Sequence, residues 1–297
     1  GTPTAGNNVV IATTHDVTDA GADMTVNDLT INGTGSLTVG SFTLSIFGDG
    51  PALGSSLITN CNSGLNIEDN GGAAQFVFPT TTSTIKKLTM NRSAGAISDH
   101  DIDLDNCIPA DSVVLVLTNG VLEFTGAAML YLASADIQRF IACSNASHVD
   151  GKVRRVTSGN NNEFYIFPVG DGGVSRKFGI ASPGSAQDVQ FFYTLPVNST
   201  CLAAGLPGGV IQSYYWIHDR VGAGNPQRRL YYEYTDFALS AVQRTDGTLS
   251  FSDGEHDVIP NTGCTDASSK WGNSTGGVTI NDAAKYMQHT VANASNN

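Results

Sequence analysis

Charge is scarce in this sequence: only 14% of its 297 residues are Asp, Glu, Lys or Arg, against about 25% in an ordinary soluble domain. The shortage falls on the residues that cover exposed helix faces, with 5 Glu and 6 Lys beside 22 Asp, so long helical bundles and coiled coils are excluded. Positive charge is scarcer still. With 15 Lys and Arg against 27 acids and no basic cluster longer than three residues, there is no phosphate-neutralising face, and neither nucleic acid nor an anionic membrane surface is an expected partner. No apolar run approaches the roughly 18 residues of a transmembrane helix, so membrane insertion by a helix is not expected.

Metal-binding and catalytic signatures are also missing. Cys61, Cys107, Cys143, Cys201 and Cys264 are widely spread with no C-x-x-C, which removes the usual zinc and iron-sulfur spacings. The expected use is one or two disulfides in an oxidising compartment, with the odd thiol buried as a small core residue. G-x-S-x-G and H-E-x-x-H are absent, and the six histidines (His15, His100, His148, His218, His256 and His289) are scattered. The chain starts at Gly1 without a basic-then-apolar leader, which reads as a trimmed, exported product.

What fills the space is Gly (33), Thr (29), Ser (26) and Asn (23), the residues of turns and strand edges. With 40% apolar residues the chain still has a core to bury, so a disordered tract is not expected. In the first half the apolar positions alternate: Met24 and Val26, Leu29 and Ile31, Leu37 and Val39, Leu44 and Ile46. Period two means short strands with one buried face. The same texture returns at residues 85–90, 97–104, 113–117, 121–124 and 129–132. The phrases NDLTINGTGSLTVGSFTLSI (27–46) and KKLTMNRSAGAISDHDIDL (86–104) read as near-copies, each with L-T-x-N, a small-residue turn and a further strand. Imperfect repetition of this kind predicts a β-solenoid, in which one coil cannot bury its inner face and stacks on the next. A meandering sandwich is the competing reading.

Beyond about residue 145 aromatic doublets and arginines thicken, with Phe191, Phe192 and Tyr193, then Tyr214, Tyr215 and Trp216. Longer spacers separate these strands, as in an antiparallel sandwich. The predicted fold is all-β: a β-solenoid-like (β-helix) domain over 1–145 and an antiparallel β-sandwich over 146–297, with the boundary at 144–150.

VDGKVRRV (149–156), FYIFPVGDGGVSRKFGI (164–180), YYWIHDRVG (214–222) and SSKWGNSTGG (268–277) resemble, in this order, phrases of secreted surface proteins of the Bacteroidota type. In these, repetitive β-rich regions precede a β-sandwich module. The resemblance implies an extracellular or cell-surface location and a mostly non-enzymatic, structural or adhesive role.

Asp99, Asp101, Asp103 and Asp105 alternate with period two, which puts all four carboxylates on one face of a strand at steps of about 7 Å. Clustered oxygens suit Ca²⁺, the one cofactor the sequence raises; a solvent face opposite Ile102 and Leu104 is the plainer reading. Glu68, Asp69, Glu123, Glu255 and Asp257 could serve a glycosidase or lyase, but nothing in the sequence brings any two together. Outward rings among Tyr215, Trp216 and Trp271 would offer an interface or a glycan platform. Six N-x-S/T sequons, at Asn32, Asn91, Asn145, Asn198, Asn273 and Asn293, are weak marks of glycosylation in so polar a chain.

The polar ends GTPTAGNN and NASNN lack apolar content, and a neighbouring copy is their expected support, by strand addition or by stacking on an uncapped solenoid end. The expectation is therefore an extracellular structural protein that assembles into a homopolymeric filament, tube or surface layer. A glycan-binding adhesin and a β-helix polysaccharide lyase or hydrolase are the alternatives.

Overall fold

A computed structural model describes residues 3–18, 21–52, 55–104, 113–133, 140–157, 165–181, 186–192, 215–221, 227–231, 278–281 and 286–289. These residues form strands, turns and loops with no helix, so none is long and apolar enough to cross a membrane.

The chain winds as a parallel β-solenoid with three walls. The third wall is the most regular: Met24–Val26, Thr43–Ile46, Gly64–Glu68, Lys87–Asn91, Leu115–Asn119 and Phe140–Ile141 stack in one six-stranded parallel sheet. The first wall starts with Val9–Ile11 and Leu29–Ile31. It resumes with Phe76–Val77, Ala96–Ser98, Leu122–Phe124, Val149–Asp150 and Val169–Asp171. The second begins with Asp16–Thr18, Ser36–Thr38 and Ser56–Ile58. Thr81 and Thr82, whose hydroxyls both donate to the Leu57 carbonyl, carry it on to Thr84–Ile85, Ile102–Leu104, Met129–Leu132 and Lys152–Val156.

Each inward position sits in register above its counterpart one coil away, which produces apolar columns. Leu44, Leu65, Leu88 and Leu115 form one; Val26, Ile46, Ile67, Met90 and Leu117 form another. All are buried, each side chain contributing about 1.5–3 kcal/mol against leaving it in water. The alternate positions, Thr25, Ser45, Asn66 and Thr89, face outward in a matching polar column, where Asn66 donates to Ser45 at 2.9 Å.

The corners are stapled by short polar side chains. Asn8 accepts from the Asp28 amide at 3.4 Å, Asp28 from that of Asp49 at 2.8 Å and Asp49 from that of Ala74 at 3.3 Å. Asn27 donates to Asn8 at 2.9 Å while accepting from Asn70 at 3.1 Å. The three links to amides each satisfy a backbone donor at a tight corner, and the two asparagine links tie side chains of successive coils to one another. Gly120 is the tightest such position, with φ +81 and its missing Cβ only 1.7 Å from the Arg92 carbonyl oxygen.

The coil lengthens and then shortens again along the axis: equivalent residues are 20 apart at Asp16 and Ser36, 23 at Glu68 and Asn91, 28 at Ile102 and Leu130, and 20 at Val149 and Val169. Parallel pairing also continues past the expected boundary at 145, through Val149–Asp150, Lys152–Val156 and Val169–Asp171. Denser aromatics change the filling there, since Tyr165 and Phe167 are buried, without yet changing the winding.

Antiparallel structure begins with Val174–Ser175 and with Ala186–Phe192, which pairs with Lys152–Val156 and then with Tyr215–Arg220. A separate antiparallel sheet holds Tyr165–Phe167, Phe178–Ala181, Gln227–Tyr231, Tyr286–His289 and Val278–Asn281 in that order.

Candidate functional site

Two features of the solenoid stand out chemically: an acidic row on the first wall and an uncovered first coil. On the first wall the outward positions Val77, Ile97, Glu123, Asp150 and Gly170 lie in register on successive coils. Neighbouring strands are about 4.8 Å apart, so Glu123 and Asp150 are held as adjacent carboxylates. Gln75 donates to Glu123 at 3.4 Å, and the Gly172 amide to Asp150 at 3.4 Å. Burial, then the charges of Asp171 and Glu123, push the Asp150 carboxyl up to about 6 against that single opposing hydrogen bond.

His148 lies beside the row. Its ring is buried and packs over Gly170, where a Cβ would come within 2.2 Å of Cδ2; hence the gap in the outward column at that glycine. Nδ1 is 3.1 Å from the Ser144 carbonyl, which fixes the ring proton on Nδ1 and leaves Nε2 as the acceptor. Burial pushes the His148 pKa down, opposed by the Ser144 carbonyl and Asp171. The group thus combines a neutral imidazole with a carboxyl that holds its proton into the mildly acidic range. Among the described residues no three His, Cys, Asp or Glu side chains converge on a metal-sized centre.

Glu123 was visible in the sequence as an isolated acid; Asp150 was missed as its partner. The signal that finds it is the local coil length, because a residue 27 positions on from Glu123 falls on the same outward column.

The four-aspartate face is not formed as alternation predicts. Ala96–Ser98 ends before Asp99 and the next strand starts at Ile102, so the chain bends through Asp99 and His100. Ser98 closes the bend by donating to the His100 carbonyl at 2.7 Å. Asp99 pairs with His100 at 3.0 Å and Asp101 accepts the Met129 amide at 3.0 Å. Asp103 alone stands on the strand, outward, between Thr84 and Tyr131, its pKa raised by burial. Asp105 lies outside the described residues.

The other expected residues are dispersed. Glu68 accepts from Asn91 at 2.8 Å, and Asp69 accepts from the hydroxyl and amide of Ser93, with the Gly71 amide at 2.7 Å. Tyr215 and Trp216 are on strand Tyr215–Arg220, opposite Phe192 and Phe191. Cys143 is a free, buried thiol and Cys61 is disulfide-bonded. Trp271, Cys107, Cys201, Cys264, Glu255 and Asp257 lie outside the described residues.

The second feature is the first coil. In the second wall, Val17, Leu37 and Leu57 form one inward column, yet Val17 is 41% exposed whereas Leu37 and Leu57 are 2% and 0%. All three residues of Asp16–Thr18 are exposed. Val9 and Met24 are likewise only partly buried, while their counterparts Leu29 and Leu44 are fully covered. Ile11 and Val26 of the same coil are nonetheless buried, at 4% and 1% exposed, so the first coil is open chiefly along Asp16–Thr18, which is an edge strand among the described residues.

Comparison of the chain with protein-family models, with curated proteins and with solved structures returns no match. The class is therefore set by the fold alone: an all-β protein built on a parallel β-solenoid.

Proposed function

We propose that this chain is an extracellular structural protein that assembles with copies of itself into a filament, tube or surface layer, its C-terminal strands closing as an antiparallel β-sandwich. The observation that carries this reading is the uncovered first coil. An edge strand with an exposed inward valine, as at Asp16–Thr18 and Val17, is a standing template for association, and soluble monomers blunt or cover such ends. The resemblance to secreted surface proteins and the low charge agree with an exported building block that performs no catalysis. Light scattering and negative-stain imaging of the purified chain test it: polymers are expected, and a monodisperse monomer at every concentration overturns the reading.

One observation favours a second reading, a polysaccharide hydrolase or lyase. Glu123 and Asp150 are paired carboxylates with Asp150 poised near pH 6, the arrangement that acid-base cleavage of a glycosidic bond uses. Turnover of neutral and acidic polysaccharides that is lost in Asp150→Asn would establish it. Binding on a glycan array would instead favour an adhesin.

A further inference from the structure

Asparagine is followed by glycine at three places in the chain, Asn32–Gly33, Asn70–Gly71 and Asn119–Gly120. In such a pair no Cβ keeps the second residue's backbone nitrogen away from the asparagine side-chain carbon, so the two groups can react with each other. The nitrogen attacks only when it is not held as a donor in a hydrogen bond, and a held amide is protected to the extent that its bond stays closed. The fold treats the three pairs differently.

Two of them are held. The Gly120 amide donates to the Ala146 carbonyl at 2.8 Å, and the Asn119 carbonyl accepts from the Arg92 amide at 3.0 Å, with Gly120 itself buried. The Gly71 amide donates to Asp69 at 2.7 Å. The Asn70 side chain is fixed as well, donating to Asn27 at 3.1 Å and accepting from the Gly72 amide at 3.3 Å. Asn32 and Gly33, by contrast, are both exposed. Among the described residues neither the Asn32 side chain nor the Gly33 amide has a hydrogen-bond partner.

We propose that Asn32 is a site of spontaneous covalent modification, at which the folded chain ages. The Gly33 nitrogen forms a bond to Asn32 Cγ, the Cγ–Nδ2 bond breaks, and ammonia leaves with the proton that the Gly33 amide gives up. Water then opens the cyclic imide at either carbonyl, giving aspartate or its isomer, whose main chain runs through Cγ. The isomer lengthens the turn by one methylene. This turn stacks on that of the first coil: the Asn32 amide donates to the Ile11 carbonyl at 2.9 Å and the Gly35 amide to the Asn32 carbonyl at 3.0 Å, and the missing Cβ of Gly33 is 2.7 Å from Thr13 Cγ2. In the isomer the carbonyl that Gly35 uses leaves the main chain, and the longer turn no longer matches the one it stacks on. Either product also adds a carboxylate to residues 1–85, which hold no Lys or Arg. Ageing at Asn32 therefore loosens the first coil, whether or not the chain self-assembles.

Peptide mapping by mass spectrometry of the full chain, held folded at mildly alkaline pH, tests this, because one digest reads all three pairs. Asn32 is expected to convert at least about tenfold faster than Asn70 and Asn119, and in denaturant the three rates should come together. Asn70 or Asn119 converting as fast as Asn32 in the folded chain overturns the assignment, and so does an Asn32 that converts only in denaturant. Asn32→Ser, which has no side-chain amide to lose, supplies the second measurement. After ageing, the parent is expected to lose hydrogen-exchange protection along the paired strands Val9–Ile11 and Leu29–Ile31, and Asn32→Ser to keep it. Equal losses in the two chains would overturn the loosening of the first coil by this site.

Discussion

Arg154 grips Asp188 with two parallel hydrogen bonds, Nε to Oδ1 at 2.7 Å and a terminal nitrogen to Oδ2 at 2.8 Å. The pair joins Lys152–Val156, the last strand of the second wall to pair in parallel, to Ala186–Phe192, where the sheet turns antiparallel. A register change needs a directional contact to fix it, and a fork-to-fork pair is more directional than apolar packing.

The two partners are unequally buried, with side chains 30% and 6% exposed for Arg154 and Asp188, and this gives an asymmetric prediction. Arg154→Ala strands a carboxylate that water cannot reach, and should cost about 3 kcal/mol. Asp188→Ala leaves a guanidinium that can turn to solvent, and should cost about 1 kcal/mol. Urea denaturation of both variants checks the order; equal losses would mean that the pair is not the anchor of the register change.

Much of the winding was legible in the sequence because a solenoid writes its inward columns as period-two apolar residues, and the apolar residues from Met24 to Ile46 keep that period within each strand, with the phase reset at the turns. The phase of the repeat was not legible. The phrases around Leu29 and Leu88 look like copies, yet Leu29 lies on the first wall and Leu88 on the third. All three walls ask for the same local chemistry, so a local match cannot say which wall it belongs to. The coil also lengthens, which hid the Glu123 and Asp150 pairing. The aspartate run misled for a related reason: alternation of charge with Ile102 and Leu104 imitates a strand, but the hydroxyl of Ser98 turns the chain before the run is half complete.

Asp150 makes the stability of the fold depend on pH in a defined direction. Its folded pKa is raised to about 6 from the ordinary 3.8, so between those values the folded chain holds a proton that the unfolded chain has released. Its favourable contribution is complete below about pH 4 and is lost as pH rises through 6. Asp150→Asn, neutral throughout, should be more stable than the parent at pH 7.5, an advantage that shrinks toward pH 4. Denaturation midpoints at the two pH values measure this; a constant difference would mean that Asp150 is not the titrating group.

Cysteine chemistry should divide the chain cleanly. Burial pushes the Cys143 thiol up, opposed by its contact with Ser175 at 3.0 Å and by Lys177. A buried, protonated thiol is a poor nucleophile, so Cys143 should resist alkylation in the native protein and react fully in denaturant. Cys61 should react only after reduction. Peptide mapping with and without reductant reads both outcomes, and labelling of Cys143 in the native state would show that the last coils open readily.

Arg92 is the sharpest test of how the corners hold. Its side chain is fully buried at the corner where the third wall passes to the first. There it donates to the carbonyls of Gly48 at 2.7 Å, Ala74 at 2.7 Å and Glu68 at 3.4 Å, with Asp49 at 3.9 Å to balance the charge. One guanidinium therefore ties successive coils together through backbone oxygens at a turn. Arg92→Met keeps most of the volume but leaves these acceptors buried without donors, at about 1–3 kcal/mol for each of the two strong bonds, so a loss of at least about 2 kcal/mol is expected. Arg92→Lys keeps the charge but not the fork, and should recover less than half of that loss. If the lysine variant is as stable as the parent, charge balance with Asp49 carries the corner and the three-carbonyl fork does not.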